Sequence, residues 1–92
     1  MTSEPVSAYT ITEHARWEMS RRGLLEDQIR KVLASPGQRL EVREGRDVLQ
    51  KKFSENGQDY LIRVFVDVDR TPPEVVTAYR TSKVSKYWSE KQ

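Results

Sequence analysis

The stretch VLQKKFSENGQDYLIRVFV, residues Val48–Val66, decides the fold. Two runs rich in strand-forming residues, Val48–Phe53 and Tyr60–Val68, flank Asn56-Gly57. Asn-Gly supplies the two positive-φ positions that a two-residue hairpin loop needs, so the pair is a strong hairpin signal. With that loop the register follows: Glu55 opposes Gln58, Phe53 opposes Tyr60, Lys52 Leu61, Lys51 Ile62, Gln50 Arg63 and Leu49 Val64. Directly opposed side chains share a face. One face therefore collects Leu49, Phe53, Tyr60, Ile62, Val64 and Val66. The other, open face collects Gln50, Lys52, Leu61, Arg63 and Phe65.

Upstream of the hairpin, Arg39–Arg43 alternates, with Leu40 and Val42 on one side, and Glu44-Gly45-Arg46 reads as a turn. Two short helices precede it. Thr12 is a good N-cap because its hydroxyl accepts an orphan N–H. The first helix is predicted over Glu13–Arg22, with Ala15 and Met19 on one face, Ile11 as a staple and Gly23 in the left-handed position beyond its end. The second runs over Glu26–Ala34, where Leu25, Ile29, Val32 and Leu33 form one buried stripe. Ser35-Pro36-Gly37 stops it. Ala8–Ile11 reads as a short edge strand, and residues 1–7 as a flexible leader.

Downstream, Pro72-Pro73 closes a looser turn and Glu74–Arg80 is the last clear strand. Ser82 is placed to cap a short terminal helix that packs Val84, Tyr87 and Trp88. The expected fold is α+β: two N-terminal helices packed on one face of a four-stranded antiparallel sheet, with a short C-terminal helix. Residues 8–92 form a single domain.

The last strand can join the hairpin in two registers. Opposing Val66 to Val75 turns Thr77 and Tyr79 inward and leaves Arg80 on the open face near Arg63. Opposing Val66 to Val76 exchanges Tyr79 and Arg80. The first is expected, because an inward Arg80 would be a buried charge in need of a partner. The open face then carries Lys52, Arg63 and Arg80 around Phe65. Cations beside an aromatic ring suit RNA, where phosphates take the charge and a base can stack.

The totals bound the function classes. A chain of 92 residues suits one domain with a thin stability margin. Sixteen Lys and Arg, ten of them Arg, oppose fourteen Asp and Glu for a net charge of +2. Arg is the cation better suited to bidentate phosphate contacts. The absence of cysteine excludes disulfides and thiolate metal sites. His14 is the single imidazole, so a multi-histidine metal site within one chain is excluded too. The polar N-terminus is not a signal peptide, and no segment approaches membrane-spanning length. A cytoplasmic location without a membrane partner is the default expectation.

Several short motifs carry a resemblance. Ile11-Thr12-Glu13-His14-Ala15-Arg16, then Arg21-Arg22-Gly23-Leu24, then Ile29 and Val32-Leu33-Ala34-Ser35-Pro36 resemble the opening signature of a family of small prokaryotic domains of unknown function. Val75-Val76-Thr77-Ala78-Tyr79-Arg80-Thr81-Ser82-Lys83 is similar to that family's final strand. The likeness covers roughly Tyr9–Trp88. The family is grouped with RelE-like toxins of toxin–antitoxin systems, which share a barnase-like ribonuclease fold. The resemblance implies metal- and cofactor-free RNA cleavage, by attack of a ribose 2′-hydroxyl on the adjacent phosphate. It implies His14 as base or acid, Tyr79 as acid or stacking platform, and Lys83 as added charge. Arg80, Arg63 and Lys52 would hold the phosphate. Implied partners are RNA, including ribosome-associated mRNA, and an antitoxin protein. Two other readings remain open: a non-catalytic RNA- or protein-binding module, and a homodimer that uses the open sheet face or Trp88.

Overall fold

The computed structural model describes residues 3–90. The expectations for residues 1–2 and 91–92 lie outside the described residues. Strand β1 (Thr10–Ile11) leads into helix α1 (Glu13–Arg21). The Thr12 hydroxyl accepts the Ala15 N–H at 3.1 Å, as an N-cap does. Gly23 takes φ +71° after the helix and turns the chain toward α2 (Glu26–Ala34). That turn changes the expected stripe. Leu24 enters the core, and Leu25 becomes the N-cap of α2 and is 64% exposed. The Gln28 side chain accepts the Leu25 N–H, closing the first turn.

Strands β2 (Gln38–Arg43), β3 (Arg46–Glu55), β4 (Gln58–Asp67) and β5 (Glu74–Thr81) follow, then a one-turn helix α3 (Val84–Tyr87). Asn56 and Gly57 adopt φ +53° and +78°, and the β3–β4 register is the one that a two-residue loop dictates. The sheet has five strands in the order β1-β5-β4-β3-β2. The four-stranded antiparallel expectation is corrected here: β1 pairs with β5 in parallel, so the sheet is mixed. Two residues carry too little pattern to reveal a partner strand more than sixty positions away.

Ile29, Val32 and Leu33 of α2 and Ala15 and Met19 of α1 cover Leu49, Ile62, Val64 and Val66. In the segment read as a leader, Val6 joins this core and its N–H donates to the Leu33 carbonyl at 2.9 Å.

β5 holds the main surprise. Val66 opposes Val75 as expected, but a bulge follows, and Phe65 opposes Thr77. One extra residue reverses the parity of everything beyond it. Arg63 therefore opposes Tyr79, and Ile62 opposes Arg80. Tyr79 stands on the open face and Arg80 on the helix side, opposite to the expected arrangement. The helix-side position costs no buried charge. Arg80 lies at the end of the strand, is 47% exposed and pairs with Glu55 at 2.8 Å. Thr77 sits at the bulge, and its hydroxyl donates to Glu18 of α1.

Ser82 is not the cap of α3. Lys83 occupies the N-cap position without a side-chain bond, and the Thr81 hydroxyl accepts the Lys83 N–H at 3.1 Å.

Candidate functional site

The open face is occupied by the chain's own C-terminal segment. Gln50, fully buried, donates to Gln38 at 2.8 Å and to the Tyr87 carbonyl at 3.1 Å. Gln38 donates to the Ser89 carbonyl at 2.6 Å and accepts the Ser89 N–H at 3.1 Å. These two amides replace the strand edge that a one-turn helix lacks. Trp88 lies against Gly37, where a Cβ would come within 2.6 Å of the indole ring. Lys52 sits 4.2 Å from the centre of the same ring.

Arg63 stands at the middle of this face. Its Nε donates to Gln50 at 2.8 Å and its Nη1 to the Tyr79 hydroxyl at 2.6 Å. The guanidinium packs 4.3 Å from the Tyr87 ring centre and 5.4 Å from that of Phe65. Phe65 and Tyr79 stack on each other at 5.9 Å. A hydrogen bond with Tyr79, then one with Lys86, holds the Tyr87 phenol below its ordinary value against the effect of burial. The structure thus brings Arg63, Phe65 and Tyr79 together and sets Lys52 beside Trp88, all within internal contacts.

A separate cleft opens at the end of the sheet. β5 runs out at Thr81 opposite Leu61, while β4 begins three residues earlier, at Gln58. The projecting hairpin leaves a notch of about 970 Å³ lined by Arg22, Tyr60, Tyr79, Arg80 and the carboxylates Glu55 and Asp59, with Thr81 and Ser82 at its rim. Arg80 stacks 3.8 Å from the Tyr60 ring centre, and Tyr60 stacks on Phe53 at 5.6 Å. Arg22 donates to the Ala78 carbonyl at 2.8 Å and pairs with Glu18 at 3.5 Å. Glu18 is held below the usual carboxylate range, first by the Thr77 hydroxyl and then by the Arg22 charge, against burial.

Of the expected catalytic residues, Tyr79 and Arg80 share this notch, while His14 and Lys83 do not line it. His14 is 69% exposed on α1 and lies 3.4 Å from Glu18. Reading the sequence missed Arg22, Tyr60 and Glu55. The hairpin register was the one available signal for Tyr60 and Glu55, because it sets them beside the turn. Nothing in the sequence reports that α1 brings Arg22 to β5.

A family profile described as a domain of unknown function (DUF4258) matches residues 11–80. The chain belongs to this DUF4258 family. The DUF4258 match runs from the last residue of β1 to Arg80, so it spans both helices, the hairpin and most of β5, and stops short of α3. No curated protein and no solved structure matches the chain. Among the described residues no three His, Asp or Glu side chains converge to hold a metal ion. No helix there is long and apolar enough to cross a membrane.

Proposed function

We propose that this DUF4258 domain is a toxin-like, metal-independent ribonuclease of RelE-like or barnase-like layout, and that RNA enters at the notch. The observation that carries the reading is the Glu55–Arg80–Tyr60 stack. Arg80 lies over the Tyr60 ring and makes an exposed ion pair with Glu55. Such pairs are worth about 0–1 kcal/mol, so a phosphate can replace the carboxylate at little cost. Arg22 supplies a second guanidinium in the same cleft, which Tyr60 and Tyr79 also line.

In-line attack of the 2′-hydroxyl needs a proton acceptor, a donor for the departing 5′-oxygen, and cations for the phosphorane. In the notch, Glu55 and Asp59 are the acceptors and Arg22 and Arg80 are the cations, and the departing oxygen takes its proton from water. An antitoxin that covers the notch is the partner this reading implies. A second reading, RNA binding without cleavage, is favoured by the position of His14 outside the cleft.

The test uses single-stranded RNA and the purified chain. Arg80→Ala should weaken RNA binding, reduce its salt dependence and abolish cleavage, while Arg30→Ala on the outer face of α2 leaves all three unchanged. Equal behaviour of the two variants removes Arg80 from the site. Binding without cleavage by the wild-type chain, in vitro and on induced expression, selects the second reading.

A further inference from the structure

The outer face of α1 contributes no residue to the lining of the notch. Glu13, Trp17 and Arg21 recur every four residues along it, and all three are exposed, Trp17 at 59%. The Arg21 guanidinium lies 4.9 Å from the Trp17 ring centre, and His14 stacks on the indole from within the same helix at 6.1 Å. The other charges of α1 are paired within the chain: Arg16 with Glu26, and Glu18 with His14 and Arg22. Among the described residues, Glu13 and Arg21 make no ion pair.

We propose that this face docks on the same face of a second copy of the chain, with the two α1 helices antiparallel about a two-fold axis at Trp17. The sequence spacing makes the face self-complementary. Glu13 and Arg21 stand equally far from Trp17, so an antiparallel pair sets Glu13 of each copy against Arg21 of the other. A rise of about 1.5 Å per residue places each of these pairs about 6 Å along the helix from the central indoles. An isologous contact of this kind closes as a dimer and leaves no open end. Trp and Arg are the residues that anchor interfaces most often, and Arg21 is already held on the indole. A single nine-residue helix buries less than a standard interface, so the dimer is weak and sensitive to salt.

Sedimentation at micromolar to millimolar concentration tests the proposal. The wild-type chain should show a concentration-dependent dimer that dissociates as salt rises. Trp17→Ala, Glu13→Arg and Arg21→Glu should each weaken it at least tenfold while each variant still melts cooperatively, the two charge reversals somewhat lower because they oppose the helix dipole. An equimolar mixture of Glu13→Arg and Arg21→Glu should dimerise again, since each copy then offers only charges that the other lacks. A wild-type chain that stays monomeric throughout overturns the proposal. So does a dimer indifferent to these substitutions, or a mixture of the two charge variants that fails to restore it.

Discussion

The two faces of the sheet are covered by different physics. On the helix side, Ile62, Val64, Leu49 and Val66 meet Ile29, Val32 and Leu33, and every one of these is fully buried. On the open side, Gln38 and Gln50 meet the Ser89 and Tyr87 carbonyls, Arg63 meets the Tyr87 ring and Lys52 the Trp88 indole. The first contact gains from removing apolar area from water and tolerates any well-packed partner. The second gains little per hydrogen bond but penalises each bond left unmade. A tail with one helical turn can therefore be seated in a single position, although it buries few apolar atoms. No buried side-chain polar atom among the described residues lacks a partner, which the second mode of packing requires.

The largest effect that tests this contrast is a cavity on the helix side. Ile62→Ala should lower stability by about 2–5 kcal/mol in a denaturant titration. A loss under 1 kcal/mol would mean that the helices do not hold the sheet. Next comes the open face. Arg63→Ala leaves the buried Gln50 carbonyl oxygen without the Arg63 donor, at a cost of about 1–3 kcal/mol. It should also release the tail, seen as faster amide exchange at Trp88 and Ser89. Protection unchanged there would show that Trp88 alone seats the segment. A smaller effect is expected from Gly37→Ala. The new methyl forces the indole aside, for a loss of about 1 kcal/mol, at the low end for overpacking. A shift in tryptophan emission reports it, with Trp17→Phe as background to isolate Trp88.

The smallest effect appears with acid. Arg46 holds the Asp67 carboxyl below its ordinary value of 3.8, first by hydrogen bonding and then by charge, against burial. A depressed carboxylate contributes its full stability above the unfolded value and loses it as pH falls through the folded one. Melting temperatures should therefore drop as the pH is taken below 3.8, and Asp67→Asn should flatten that part of the curve. An identical acid limb in Asp67→Asn would assign the loss to other carboxylates.

Much of the frame was legible before any coordinate. Asn56-Gly57 determines the hairpin register because two adjacent positive-φ residues allow one tight turn, and every opposed pair then follows by counting. Thr12 and Gly23 bound α1, and the apolar spacing of Ile29, Val32 and Leu33 marks the buried side of α2, since both signals are local. The candidate site was legible only in part. Tyr79 and Arg80 were singled out, but on the wrong sides of the sheet.

What the tertiary structure alone decided is non-local. The bulge beside Val66 exchanges Tyr79 and Arg80 on β5, the strand between β4 and β1, where Arg22 of α1's C-terminus donates to the Ala78 carbonyl. The pairing of β1 with β5 depends on the path of everything between them. Whether Lys52 and Arg63 faced solvent or the chain's own tail depended on Gly37, a residue whose missing side chain leaves room for Trp88 fifty-one positions later. Local chemistry writes turns, caps and periodicity into neighbouring residues. Contacts across the chain depend on shape, and shape exists only once the chain has folded.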